Sequence, residues 1–332
     1  RSATKVTSDI IEAATNLSID SNGGPIKIGT TALAAKKLTT LDIVGDNAVS
    51  FGGTSLSTTT VLADVNASTV TGGITFGSSV DFAATSDIAL GTGDDTLTLV
   101  VTTNTSTTLD MGEKTGDADT LKLTGAVNLG VTNIDLTAAD QMSQLNGVVD
   151  AAVQTGIENI DMSGVTGLYG AVIKGTDTAN TLTGSAGGDV ITAGGAADTI
   201  NGKGGADSIN VADTSADTTA KVDTIVIAET EGGDIITGFD VSNDVIDISI
   251  AFKDLNAAAG VDLTSTDVTT NNFHTLTDLI LTDSAGISAT ADVILEIPSA
   301  SGVTSGVSTA AFLTKFKTGA TNITSDPMNA PS

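Results

Sequence analysis

Cysteine is absent from the 332 residues, so disulfides and thiolate metal sites are excluded. Tryptophan is also absent, tyrosine occurs once and aromatics reach only 3%. With hydrophobic residues at 40%, any core must be built from Val, Ile, Leu and Ala, which suits thin β layers. Proline is scarce, at four residues, while β-branched residues abound, so the composition is not that of a disordered chain. Basic side chains number 13 against 40 acidic ones, a net charge of −27. Such a chain lacks the basic face that nucleic acid or an anionic membrane surface requires. Its carboxylates repel one another in a compact state, and bound divalent cations would offset that repulsion. No stretch approaches the roughly eighteen apolar residues of a transmembrane helix. Arg1-Ser2-Ala3-Thr4 shows no signal-peptide pattern. A start at Arg1 rather than Met points to a fragment or processed product, with any export or anchoring segment outside it. The length implies two or three domains, or one elongated array.

Against these absences stands one regular stretch. Gly175–Asn210 divides into nines: GTDTANTLT, GSAGGDVIT, AGGAADTIN and GKGGADSIN. The sixth place holds Asn180, Asp189, Asp198 and Asp207, and the eighth holds Leu182, Ile191, Ile200 and Ile209. Ala193 departs from the first-place glycine of Gly175, Gly184 and Gly202. At the fourth place Gly187 and Gly205 are accompanied by Thr178 and Ala196. Half of each nine reads as a tight turn and half as a short strand, so the chain should wind into a flattened coil. Glycine lets backbone carbonyls crowd towards one point, and the sixth-place side chain adds a hard oxygen. Calcium takes six to eight oxygens at roughly 2.3–2.6 Å in a tolerant geometry, which stacked turns can supply. The eighth-place aliphatic then points inwards.

The pattern resembles the glycine-rich nonapeptide of repeats-in-toxin (RTX) proteins, a calcium-binding parallel β-roll unit. The resemblance implies Ca2+ as the bound ion and Asn180, Asp189, Asp198 and Asp207 as ligands. Turn glycines Gly184, Gly187, Gly195, Gly202 and Gly205 belong to the same sites. Downstream, Asp234-Ile235-Ile236-Thr237-Gly238-Phe239-Asp240 is followed by Asp244-Val245-Ile246-Asp247-Ile248. This resembles the segment that closes the β-roll in many such proteins. It implies Phe239 as a plug and Asp234, Asp240 and Asp244 as further ligands. Two coils are too few to bury a core alone, so the roll must continue into the flanking β segments.

The expected fold is mainly all-β: an irregular stacked β structure or β-solenoid with a short calcium-binding parallel β-roll and a few short helices. Residues 1–130 read as a β-rich sandwich or irregular solenoid, because alternating segments such as Leu41-Asp42-Ile43, Val49-Ser50-Phe51 and Leu121-Lys122-Leu123 recur between turns. Ser8–Leu17 has the cap and spacing of a short helix. Within residues 1–130, Gly91–Leu97 and Thr115–Leu121 each run glycine, acid, spacer, aliphatic. They are calcium turns with Asp95 and Asp119 as ligands, or plain acidic β-turns. Residues 131–174 read as a strand-helix-strand connection, the helix lying within Thr137–Thr155. Residues 175–250 form the β-roll with its cap. Residues 251–332 form a β-rich region with a helix at Ser308–Lys317 and a disordered tail.

Function must come from the rest of the chain. Its one histidine, His274, cannot complete a two-histidine zinc site, and no G-x-S-x-G elbow accompanies it. No catalytic constellation is visible, and the chain is not expected to be an enzyme. In composition it resembles RTX-type bacterial surface-layer proteins. That implies an extracellular calcium-binding structural protein, secreted by the type I route, that self-assembles into a homo-oligomeric array at the cell surface. A glycan or lipopolysaccharide would be its anchor. The alternative is the C-terminal calcium module of a larger type I secreted enzyme, toxin or adhesin.

Overall fold

The computed structural model describes residues 14–28, 37–52, 61–77, 80–103, 106–213, 221–227, 233–240, 243–247, 279–282 and 294–295. The chain divides into two compact units, Arg1–Val172 and Ile173–Ser332, and β16 (Ala171–Lys174) spans the division.

In the first unit, successive strands alternate between two parallel sheets, which is the topology of a coil. One sheet takes β1 (Asn16–Asp20), β3 (Thr40–Val44), β5 (Leu62–Asn66), β7 (Phe82–Ala89), β9 (Thr108–Asp110) and β14 (Gln154–Thr155). The other takes β2 (Ile26–Ile28), β4 (Val49–Phe51), β6 (Ile74–Phe76), β8 (Thr96–Val100), β10 (Thr120–Val127) and β15 (Asn159–Gly167). Among the described residues of 1–130, the strands form a solenoid and not a sandwich. Register lines like residues up on like. Leu41 pairs with Val65, Val65 with Ile88 and Ile88 with Leu109. Opposite them run Phe51, Phe76, Leu97, Leu121 and Ile160. All nine are buried. Three of the scarce aromatics meet here: Phe51 and Phe76 stack with ring centroids 4.8 Å apart, and Phe82 meets Phe76 edge-on at 5.5 Å.

No described residue is helical, which corrects the expectation of a few short helices. Of Ser8–Leu17, residues 8–13 lie outside the described residues, and Asn16 and Leu17 belong to β1. Thr137–Thr155 is not a helical crossover. It holds β12 (Met142–Leu145), β13 (Val148–Val149) and β14, with β12 antiparallel both to β11 (Thr132–Asp135) and to β13. The reason is local. Asn146-Gly147 joins the paired Leu145 and Val148 with φ of 49° and 76°, the two-residue Asn-Gly hairpin turn that overrides helical spacing. Strands β11 and β15 accordingly lie in different sheets. The segment Ser308–Lys317 and the tail lie outside the described residues.

The second unit coils in the same way with shorter turns. Strands β17 (Thr181–Thr183), β19 (Thr199–Asn201), β21 (Thr224–Val226) and β23 (Val245–Asp247) stack in one parallel sheet. Strands β18 (Val190–Thr192), β20 (Ser208–Asn210), β22 (Ile235–Thr237) and β24 (Leu279–Thr282) stack in the other, where β25 (Ile294–Leu295) adds on antiparallel. Each nonapeptide therefore supplies one strand, and two make one coil. The inward aliphatics form two columns, Leu182–Ile200–Ile225–Ile246 and Ile191–Ile209–Ile236, every member at most 2% exposed. Phe239 is also buried, 4% exposed.

Candidate metal centre

The residue just before each of the strands β17 to β23 belongs to a third kind of column, made of six aspartates and Asn180. Ahead of β17, β19, β21 and β23 stand Asn180, Asp198, Asp223 and Asp244; ahead of β18, β20 and β22 stand Asp189, Asp207 and Asp234. All seven are buried. Each column is laced by one repeated hydrogen bond. A carboxylate Oδ1 accepts the backbone N–H of its counterpart in the preceding coil. Asn180 N–H donates to Asp198 at 2.8 Å, Asp198 to Asp223 at 2.9 Å and Asp223 to Asp244 at 3.0 Å. In the other column Asp189 donates to Asp207 at 2.8 Å and Asp207 to Asp234 at 3.0 Å. An aspartate at this place thus ties two coils together before any metal is considered.

The second carboxylate oxygen is different. Oδ2 of Asp198 and Oδ2 of Asp207 are buried with no hydrogen-bond partner. Burial pushes both carboxyls up to about 7, and the neighbouring acids Asp223 and Asp234 add to the effect. Burial likewise raises Asp223 and Asp234 to about 6, and raises Asp244. A desolvated carboxylate either takes up a proton or finds a cation.

The turns leave room only for backbone. A Cβ added at Gly184 would collide with the Gly202 carbonyl oxygen and Asp189 Oδ2, and one at Gly202 would collide with Asp207 Oδ2. Gly205 has φ +107° and the paired turn at Gly187 lies directly against it. Gly195 donates its N–H to the Thr176 carbonyl at 2.8 Å. Carbonyl and carboxylate oxygens therefore converge where side chains are missing, and nitrogen or sulfur donors do not enter. Among the described residues no three His, Cys, Asp or Glu side chains cluster as a metal site, so backbone carbonyls must complete any coordination. That donor set fits a hard cation with tolerant geometry, calcium.

Two residues differ from the rest. Asn180 holds the same place as the aspartates, its Oδ1 accepting Thr176 N–H at 2.7 Å as Asp189 Oδ2 accepts Ser185 N–H at 2.6 Å. It offers a neutral oxygen. Asp240 is exposed and stands off the columns: it donates its N–H to Asp244 Oδ2 at 2.7 Å, and its carboxylate accepts from Asn243 at 2.6 Å. Asp223 was not among the expected ligands, although Asp223-Thr224-Ile225 repeats the acid-spacer-aliphatic signature. The 25 residues between Asp198 and Asp223 hid it from a nine-residue count.

In the first unit Asp95 and Asp119 hold the equivalent place ahead of β8 and β10, and Glu158 holds it ahead of β15. Asp95 Oδ1 accepts Ile74 N–H at 2.6 Å, Asp119 Oδ1 accepts Asp95 N–H at 2.7 Å and Glu158 Oε2 accepts Asp119 N–H at 2.9 Å. The aspartates inside N-I-D segments do other work. Asp135 closes a turn on Thr137 at 3.0 Å, and Asp161 pairs with Lys122 at 2.8 Å.

Comparison with protein families finds the RTX calcium-binding nonapeptide repeat, in four copies, at residues 174–209. Comparison with curated proteins finds no match. The matched residues are those that form β17 to β20 and their turns, and RTX nonapeptides bind Ca2+. When bound, the ion supplies the positive charge that the buried Oδ2 atoms lack. Asp189, Asp198 and Asp207 are the residues that would hold it, with the carbonyls of the glycine turns. Their Oδ1 bonds keep those carboxylates fixed in orientation.

Proposed function

Because the chain carries four RTX calcium-binding nonapeptide repeats, which are typical of extracellular type I secreted proteins, we propose that it is a structural protein of the bacterial cell surface. It folds around calcium and assembles with copies of itself into an array or filament of the surface-layer kind. The observation behind this reading is that the described residues of both units form stacked coils. The described residues build a scaffold whose strands are repeated, buried and laced coil to coil. Catalysis has no role in this reading.

Export would precede folding. Calcium is scarce in the cytosol, the acid columns repel one another without it, and metal binding supplies folding energy outside the cell. Exposed apolar side chains of the first unit support lateral contact between copies. Leu129, Val149, Leu168 and Tyr169 are 73%, 76%, 83% and 44% exposed. Leu168 and Tyr169 are bonded to the end of β10, and Leu129 to Asn146 in the β12–β13 turn. Exposed apolar groups gathered at one place mark a contact surface, here for a second copy. A glycan or lipopolysaccharide is the proposed anchor.

Negative-stain microscopy of purified protein in millimolar calcium is the test. Sheets, tubes or filaments are expected, and Leu168→Asp should weaken them. A monodisperse monomer under those conditions would overturn the structural reading in favour of a calcium module within a larger secreted protein.

A further inference from the structure

The acid column of the first unit repeats, outside the matched residues, the construction that holds calcium within them. Asp95 and Asp119 are 1% and 0% exposed. In both, Oδ1 is bonded to the preceding coil, and in both Oδ2 is buried with no partner. Asp198 and Asp207 show the same division of labour between their two oxygens. A third oxygen, Asp117 Oδ2, is buried and unpartnered beside them.

The backbone agrees. Gly91 lies four residues before Asp95, and its N–H approaches that carboxylate. A Cβ at Gly91 would collide with the Val70 carbonyl oxygen and one at Gly112 with the Gly91 carbonyl oxygen; one at Gly156 would come within 2.7 Å of the Gly112 carbonyl oxygen. Carbonyls are thus stacked coil on coil here too. The charges that bear on Asp95 and Asp119 are Asp94, Asp117, Glu158 and each other, all negative. Lys122, the next lysine after Asp119, is engaged by Asp161.

We propose that Asp95 and Asp119, with the carbonyls of the Gly91–Asp95 and Gly112–Asp119 turns, form a calcium site of the first unit, separate from the nonapeptides. The Oδ2 atoms of Asp95 and Asp119, buried and bonded to no protein donor, are offered to a cation. The donors are hard oxygens on irregular turns, which favours calcium over the stricter octahedron of magnesium. Glu158 closes the column as a positioning residue, its Oε2 holding the Asp119 amide at 2.9 Å. The inference is independent of self-assembly.

Two measurements on the full chain test it. Calcium stoichiometry by equilibrium dialysis should fall by at least one ion in the Asp95→Asn/Asp119→Asn double variant, which keeps both Oδ1 acceptors. The Asp198→Asn/Asp207→Asn variant should lose a different set. Unchanged stoichiometry in the first variant with loss in the second would overturn this site and leave the nonapeptide sites standing. On the unsubstituted protein, hydrogen exchange should show calcium-dependent protection of the amides of Ile74 and Asp95. Exchange there that ignores calcium would overturn the proposal without reliance on any variant.

Discussion

At the scale of the residue, one aspartate carries two tasks on two oxygens. Asp207 Oδ1 accepts the Asp189 amide, while Oδ2 has no protein partner. Asp207→Ala should therefore cost about 1–3 kcal/mol even in chelator, because a buried N–H is orphaned, and should raise the calcium needed for folding as well. Asp240→Ala, at an exposed position off the column, should change the calcium requirement less than Asp244→Ala; paired titrations followed by circular dichroism check the order. The pH dependence has a definite sign. Burial raises Asp198 and Asp207 from 3.8 to about 7, so the metal-free fold binds more protons than the unfolded chain between those values. Metal-free stability should then fall as pH rises from about 4 to about 7. Calcium affinity should rise over the same range, because the ion must displace those protons. Denaturant melts in chelator and calcium titrations at pH 5.5 and 7.5 would show both trends. Ala196 sits at φ +71° in a place where the repeat favours glycine. Ala196→Gly should relieve left-handed strain and raise Tm, with a gain of up to about 1 kcal/mol after the entropy cost of glycine.

At the scale of the element, stability comes from stacking like on like. Each strand of the nonapeptide region has three residues and buries one side chain, so no strand can persist without its neighbours. Ile200 is fully buried and aligned between Leu182 and Ile225. Ile200→Ala should cost about 2–5 kcal/mol, whereas Ile235→Ala, at a side chain 47% exposed, should cost under about 0.5 kcal/mol. Chemical denaturation at saturating calcium separates the two. The turns are as constrained as the strands. Gly112 has φ +88°, and a Cβ there would meet the Gly91 carbonyl, so substitution would push neighbouring coils away from each other. The element that misled the sequence reading was the hairpin at Asn146-Gly147. Leu145, Val148, Val149 and Ala152 have helical spacing, yet a two-residue turn with both φ positive folds β12 onto β13. Turn chemistry at two positions outweighed periodicity over a dozen.

At the scale of the whole molecule, charge sets the conditions of folding. A net charge of −27 with columns of buried acids makes the metal-free chain repel itself. Chelator should weaken the fold and reduce the β signal in circular dichroism at low ionic strength. Some of the lost stability should return on adding 0.15 M sodium chloride, which screens charges beyond roughly 8 Å. Millimolar calcium should restore far more, because it acts on buried oxygens that diffuse ions do not reach. Equal recovery with either salt would mean that general screening, rather than site binding, holds the fold.

The local sequence alone determined the nonapeptide coil, its inward aliphatics and its sixth-place oxygens, because a nine-residue beat makes turn, core and ligand recur at fixed intervals. It also marked Asp95 and Asp119, whose acid-spacer-aliphatic order is local. What only the tertiary structure decided is which distant acids share a column. Coil length varies outside the nonapeptides: column neighbours lie 24 and 39 residues apart from Asp95 through Asp119 to Glu158, and 25 and 21 apart from Asp198 through Asp223 to Asp244. No period in the chain records those intervals, since loops of any length can join two strands that must stack. Hydrogen-bonded register then brings each acid over the last. That stacking turned the paired turns at Asp95 and Asp119 and the overlooked Glu158 and Asp223 into members of the same kind of column as the nonapeptide acids.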